Sequence, residues 1–474
     1  MSRAHGRIGS WRAALLVMAV GLTGIWLLSC QQTIYLQVTA LQTGAYHTCA
    51  TLIDSTFKCW GFNDSGQLGQ GDTVNRGNAP GQMGNALLNI DVGTHRTVIA
   101  FTTGGFHTCV ILDNFTVKCW GNNLSGQLGL GDTASRGDGP DEMGDTLPAV
   151  DLGVDVDGNP LQAVAISAGA FHTCAVLNDK AAEQSLVKCW GDNSSGQLGL
   201  GDTANRGDAP NEMGNSLPPV DLGTGRTAVG IVAGAYHSCA LLDDFTIKCW
   251  GDNRDGQLGQ GDTNNRGDAP GEMGDSLPPI DLGTGRTATF VAAGLYDTCS
   301  VLDDGTAKCW GDNQSGQLGQ GSMNALGDDP NEMGDNLPPI DLGTGRTALI
   351  LSVNGDPVSD RASACALLDD STVKCWGDNS AGQLGQGNTA AMPTIGTQSN
   401  EMGDNLPPID LGDSGKAIDL GSAFYHTCAL LSSQRMKCWG LNDVGELGLG
   451  DTVNRGGEPG QMGDNLPAIN VGTT

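Results

Sequence analysis

Seven copies of one unit run down this chain at a period of 60 to 66 residues, and they restrict its fold more than any other feature. The unit carries Tyr46-His47-Thr48-Cys49 and, ten residues on, Lys58-Cys59-Trp60-Gly61. Its first cysteines recur at Cys49, Cys109, Cys174, Cys239, Cys299, Cys365 and Cys428. The second recur at Cys59, Cys119, Cys189, Cys249, Cys309, Cys375 and Cys438, always within Lys-Cys-Trp-Gly. Gly-Gln-Leu-Gly-x-Gly follows each copy, with Glu446 replacing Gln in the last, and then Met-Gly-[Asp/Asn] and a Leu-Pro-Pro-Val-Asp-Leu-Gly type of segment, as at 217–223. A fixed period of this length means an array of one supersecondary unit rather than several unrelated domains.

Each unit reads as four short strands. In the copy around Cys239 they fall at 219–222, 227–233, 236–242 and 246–250, separated by Gly, Pro, Asp and Asn clusters. No long 3.6-residue apolar period competes with them. The 73 Gly among 474 residues also argue against helices. Four-stranded units repeated around an axis are propeller blades. The expected fold is therefore all-β, a seven-bladed β-propeller with four antiparallel strands per blade. The repeat is split between the chain ends: 34–40 aligns with the second strand of a unit and 466–471 with the first. The C-terminal strand is thus expected to complete the first blade and close the ring, which removes sheet edges.

The run Gly-x-[Tyr/Phe]-His-[Thr/Ser] followed by Trp-Gly-x-Asn-x-x-Gly-Gln-Leu-Gly-x-Gly resembles the regulator of chromosome condensation repeat, over essentially residues 33–474. That resemblance implies a seven-bladed propeller. The chain departs from the nuclear exchange-factor members in its leader, its acidity and its two strand cysteines per blade. Nucleotide exchange on a small GTPase is therefore not carried over. Secreted bacterial members, which include a propeller-shaped β-lactamase inhibitor, are the nearer likeness.

Arg3, Arg7 and Arg12 precede an uncharged, apolar stretch at 13–28, a pattern of secretory signals and short for a membrane span. Leu27-Leu28-Ser29-Cys30 resembles a bacterial lipobox, with Leu at −3 and a small residue before the cysteine. The expected organisation is a signal peptide at 1–29, a lipid-anchored N-terminus at 30–32 with Cys30 as attachment site, and the propeller at 33–474. A plain cleaved signal and an uncleaved anchor are the alternatives. Either processed form lies outside the cytoplasm, secreted or held to the membrane by lipid only.

The remaining fourteen cysteines form seven pairs, spaced by ten in six copies and by fifteen between Cys174 and Cys189. On two strands joined by a tight turn, such residues lie opposite, and non-hydrogen-bonded pairs approach to about 4.5 Å between Cα atoms, within disulfide range. Disulfides fit the secretory reading best. Zinc held by His and two Cys, or free thiols, are the other readings. The histidines His47, His107, His172, His237 and His426 occupy equivalent places in different blades, with Asp297 in the fifth. Ring geometry separates them, so they are expected to cap backbone groups within blades rather than catalyse.

The segment from Asp202 to Met213 is acidic and recurs in nearly every copy, three times with Arg-Gly-Asp (Arg136, Arg206 and Arg266). Adhesion through that tripeptide is one reading and calcium on Asp202 and Asp208 another. A solvated, turn-rich connection between blades is the plainer one. No cofactor is expected otherwise. A net charge of −29 excludes nucleic acid as a natural partner and favours a basic one. An enzyme would need a nonrepeated polar cluster at the ring centre, and none is evident from the repeat. The expected function is noncatalytic: a monomeric extracytoplasmic scaffold presenting propeller-face loops to a protein or glycan. A secreted enzyme or enzyme inhibitor on the same fold, and an exchange factor, are the alternatives.

Overall fold

Strand-forming runs of the repeat become seven antiparallel sheets. The computed structural model describes residues 35–356, 359–413 and 415–473. The expected signal segment and Cys30 lie outside the described residues. Blade 1 consists of Val38–Thr43, His47–Leu52 and Phe57–Gly61, and blade 2 of Val98–Thr103, His107–Leu112 and Val117–Gly121. Blade 3 has Gln162–Ala168, His172–Asp179 and Gln184–Gly191, and blade 4 Ala228–Ala233, His237–Leu242 and Ile247–Gly251. Blade 5 has Ala288–Ala293, Asp297–Leu302 and Ala307–Gly311, and blade 7 Ala417–Ser422, His426–Leu431 and Met436–Gly440. Blade 6 has Ala348–Asp356, Arg361–Leu368 and Val373–Asp378, with a two-residue fourth strand, Thr394–Ile395. Among the described residues no helix is long and apolar enough to cross a membrane.

Six of the blades thus carry three strands, not the expected four, and blade 6 gains its fourth on the side of its outer strand. The segments expected as first strands form none. In 217–223 two consecutive prolines, Pro218 and Pro219, remove the donors a ladder needs. What remains is one bond, from Val220 N–H to Val187 O at 2.8 Å. The fourth position is taken from the other side, where a single bridge such as Gly61 with Arg76 stands in for a strand.

Neighbouring blades are joined by the motif residues themselves. All seven repeat tryptophans are fully buried. Each indole N–H donates to a carbonyl just after the preceding blade: Trp120 to Gln67 O at 3.1 Å, Trp250 to Gln197 O at 3.0 Å. Trp60 of blade 1 makes the same bond to Glu446 O, after blade 7, at 3.0 Å. The motif lysine is buried too, and in six of the seven blades its ammonium donates to two carbonyls of the connecting segments, as Lys248 does to Leu222 O at 3.0 Å and Gly274 O at 2.8 Å; Lys118 donates to Gly144 O at 2.6 Å. Burial pulls these lysines below their ordinary range; the two carbonyls satisfy a charge that would otherwise be costly to bury. The C-terminal segment is no strand, so it does not complete blade 1 as one. It runs between the two blades instead. Ile469 N–H donates to Met436 O of blade 7 at 2.8 Å, and Val471 O accepts from Lys58 of blade 1 at 2.9 Å.

The structure links the seven cysteine pairs, Cys49 to Cys59, Cys109 to Cys119, Cys174 to Cys189, Cys239 to Cys249, Cys299 to Cys309, Cys365 to Cys375 and Cys428 to Cys438. Partners face each other across the middle and outer strands, with Cα atoms 4.1 Å apart in blade 1. Seven disulfides accord with an oxidising, extracellular environment.

The first glycine of Gly-Gln-Leu-Gly shows how tightly successive connections nest. Gly126 has φ +81°, and a Cβ there would lie 2.4 Å from the backbone nitrogen of Asp208. Backbone cannot yield as a side-chain tip can. Gly126→Ala is expected to cost about 3 kcal/mol or more, combining the left-handed penalty with the clash; a denaturant midpoint equal to the parent's would show that the two connections can part.

A candidate binding site at one mouth of the central channel

The inner strand of each blade turns into the middle strand through Gly44-Ala45-Tyr46 and its equivalents, and these turns meet at one end of the ring axis. The glycines are required by proximity. A Cβ on Gly44 would lie 2.6 Å from Gly104 O, one on Gly104 2.6 Å from Gly169 O, and one on Gly169 2.3 Å from Gly234 O. Successive turns therefore touch backbone to backbone and leave a cavity of about 50 Å³ at the centre.

The histidines that follow are fully buried, and burial holds each imidazole at about 3. They do not cap their own blade as expected. His47 Nε2 bonds Thr108 Oγ of the next blade at 3.0 Å, His107 bonds Thr173 at 2.9 Å, and His426 bonds Thr48 at 3.0 Å. Thr108 spends its one hydroxyl proton on Gln67 O at 2.9 Å, so the imidazole must be the donor and carries its proton on Nε2. The series breaks beside blade 6. Asp297 replaces His, Ala364 replaces Thr, and both carboxylate oxygens of Asp297 are buried without a hydrogen-bond partner. Burial, with Asp312 nearby, raises this carboxyl well above its ordinary range.

Around the same mouth the residues before the histidines form an aromatic arc. Tyr46 packs on Phe424 at 5.5 Å, on Phe62 at 6.1 Å and on Phe106 at 6.4 Å; Phe106 in turn stacks on Phe171 at 6.1 Å. Farther round, Tyr236 stacks on Tyr296 at 6.0 Å. The residue after Lys-Cys-Trp-Gly sets the polarity of each sector: Leu441, Phe62 and Asn122 in blades 7, 1 and 2, then Asp192, Asp252, Asp312 and Asp378 in blades 3 to 6. One half of the mouth is thus aromatic and the other carboxylate. Asp252 and Asp312 are raised by burial. Asp255 is raised to about 6 by burial and by Asp312, Asp252 and Asp360.

Blade 6 makes the asymmetry. Its inner and middle strands are nine and eight residues long, against six and six in blade 4, and they extend the hairpin to Asp356 and Arg361. Tyr425 of blade 7 donates to Asp356 at 2.6 Å and lies 2.6 Å from Ser359 Oγ. Gly355 lies against Leu295 of blade 5. Arg361 pairs with Asp378 at 3.4 Å. A nonrepeated polar cluster therefore does stand at the ring centre, contrary to the expectation from the repeat. Its signals in the sequence were the sixth copy's missing motif and the run of Asp after Lys-Cys-Trp-Gly.

The opposite face carries the turns between middle and outer strands. There Arg226 pairs with Asp244 at 2.6 Å and Arg286 with Asp304 at 2.6 Å, beside the exposed rings Phe115 and Phe245. The Arg-Gly-Asp segments belong to neither face as free loops. Arg206 folds back onto Asp202 at 2.6 Å, Arg136 onto Asp132 at 2.6 Å and Arg266 onto Asp262 at 2.7 Å. Gly207 O accepts from Gly131 of the preceding connection at 2.9 Å. The oxygens of Asp202 accept from Arg206, Asn193 and Ala204. Among the described residues no group of three or more His, Cys, Asp or Glu is placed to hold a metal ion.

Comparison with known proteins agrees with this architecture. One family model of the regulator of chromosome condensation (RCC1) repeat matches residues 98–127, 163–197, 228–257, 288–317, 362–383 and 417–446, and a second matches 59–111 and 187–241. The ultraviolet-B receptor UVR8 of Arabidopsis thaliana is 27% identical over 428 residues, covering 88% of this chain and 80% of the receptor. The mitochondrial RCC1 domain-containing protein RUG3 of the same plant is 26% identical over 284 residues, 60% of this chain and 55% of that protein. Among solved structures, human WBSCR16 superposes with a TM-score of 0.59 at 19% identity over 84% of this chain and 91% of its own. Yeast RCC1 (Prp20), in a complex with Kap60, gives 0.58 at 18% over 96% and 90%. Matched repeats over more than half of its length, seven blades and the shared fold place this chain in the RCC1-repeat family.

Proposed function

We propose that the protein is a noncatalytic binding scaffold of the extracytoplasmic space, held at a membrane through lipid on Cys30, that takes a basic protein partner at the aromatic and acidic channel mouth. The observation that carries the reading is the division of that mouth. Five rings from blades 1, 2, 3 and 7 crowd one half, and four carboxylates from blades 3 to 6 the other. Four of these rings, Tyr46, Phe62, Phe106 and Phe171, are half-buried, and Phe424 is buried beneath them; partly exposed rings on rigid turns are what protein interfaces use as anchors. Carboxylates beside them select a cationic partner and speed its approach. Within the cluster Arg254 pairs with Asp252 at 2.8 Å and Tyr425 donates to Asp356 at 2.6 Å, side chains held in place in a way that suits recognition. A neighbour in fold supports a protein ligand: yeast RCC1 (Prp20) is bound to Kap60 in its structure.

The test is capture with the mature domain and two variants. Tyr46→Ala combined with Phe106→Ala is expected to weaken the captured partner about 30-fold or more, the scale of losing hot-spot rings. Phe115→Ser on the opposite face is expected to leave capture intact. Loss with Phe115→Ser and retention with the mouth variant would overturn the reading.

A further inference from the structure

Two of the carboxylates at the mouth already hold a guanidinium from this chain. Arg254 donates Nε–H to Asp252 Oδ2 at 2.8 Å while its guanidinium carbon lies 4.7 Å from the ring centre of Tyr296, contributed by the next blade. Arg361 reaches Asp378 at 3.4 Å. Asp192 is the equivalent carboxylate of blade 3, and Tyr236 holds in the next blade the repeat position that Tyr296 holds relative to Asp252, near enough for the Asp192 charge to act on its hydroxyl. There the position of Arg254 is taken by Ser194, a short and exposed side chain. Ser194 Oγ and Gln197 Nε2 both donate to Asp192 Oδ2, at 2.8 and 2.6 Å, and Oδ1 accepts from no protein donor among the described residues. Asp312, the remaining member, faces Ala362 instead of a ring.

We propose that the notch between Asp192 and Tyr236 binds an arginine side chain of a protein partner, stacked on the tyrosine and paired with Asp192 Oδ1, as Arg254 sits on Tyr296. The proposal rests on the mouth being the binding face and names what that face selects. Arginine is favoured over lysine because its guanidinium is planar, weakly hydrated and able to stack while its edge bonds a carboxylate. Phe171 and Phe106 adjoin the notch on the aromatic side, so the residue next to the arginine in the partner is an apolar or aromatic one.

The probe is the peptide acetyl-Trp-Arg-amide, with lysine and citrulline counterparts, titrated calorimetrically into the full-length protein. The arginine peptide is expected to bind at least fivefold tighter than the lysine peptide, and the citrulline peptide more than tenfold weaker, since it keeps the shape and loses the charge. Ser194→Arg should fill the notch from within and weaken the arginine peptide at least tenfold with no change in melting temperature. Arg254→Ser should raise the stoichiometry from one to two by opening the neighbouring notch. Equal affinity for arginine and lysine peptides, or a Ser194→Arg protein that binds like the parent, overturns the proposal. If no peptide binds while partner capture still depends on Tyr46 and Phe106, the notch is wrong and the binding face stands. If capture also survives the Tyr46 and Phe106 substitutions, the binding face itself falls.

Discussion

Between pH 6.5 and 4.5 the protein is expected to lose stability on the order of 3 kcal/mol per pH unit, a steep fall for a disulfide-rich domain. The cause is five imidazoles that burial holds at about 3 in the folded chain. Unfolded, they take up protons as pH falls through about 6.5. Between those values the unfolded state binds more protons, so acid favours it, and the stability the neutral imidazoles supply is fully present only above about 6.5. Buried carboxyls oppose this. Glu446 is raised to about 7, Asp255 to about 6 and Asp297 well above its ordinary range, chiefly by burial, so they protonate first in the folded state. About two protons' worth of destabilisation remain after that subtraction. Urea midpoints measured from pH 7.5 to 4.5 report it, and His107→Gln, which can still donate to Thr173, should flatten the curve. Midpoints that stay level across this range would mean the imidazoles take up protons without leaving their sites.

Removing residues 463–474 is expected to lower the melting temperature by about 10 °C. The segment buries Leu466, Ile469 and Val471, which are 1%, 3% and 2% exposed. Their burial is worth roughly 6 kcal/mol together, which sets the size of the shift. Its loss also takes Val471 O from the buried ammonium of Lys58 and the Gly472 carbonyl from Leu36 N–H at 2.9 Å. Blade 1 would still meet blade 7 through the Trp60 and Thr48 bonds, the Val38 N–H bond to Gln434 O at 3.0 Å and the apolar packing of Leu41 and Leu430. An unchanged melting curve would show that these remaining contacts suffice to join the ends of the chain.

The repeat made the strands legible because each obeys a local rule. Blade 4's strands begin within a residue of where the alternation and turn residues put them, and cysteines at a spacing of ten could only meet across such a hairpin. The proline pair that cancels the expected first strand was visible as well, but the hydrophobic residues around it, Leu217, Val220 and Leu222, read as a strand because they are buried as one. The histidines were misassigned for a different reason. A repeat shows what one copy contains, whereas His47 acts on Thr108, the same motif one copy later. The mouth was hidden because its asymmetry comes from departures from the repeat, namely Phe62, Asn122 and Leu441 in place of Asp, Arg254, and the lengthened hairpin of blade 6, which a consensus averages away.

Hydroxyl-radical footprinting of the complex reads directly where the partner sits, since both faces carry oxidisable rings. Protection of Tyr46, Phe62, Phe106, Phe171 and Tyr236 is expected, with Phe115 and Phe245 oxidised as in the free protein. Protection of Phe115 and Phe245 with the mouth rings still oxidised would put the partner on the opposite face and overturn the proposed binding site.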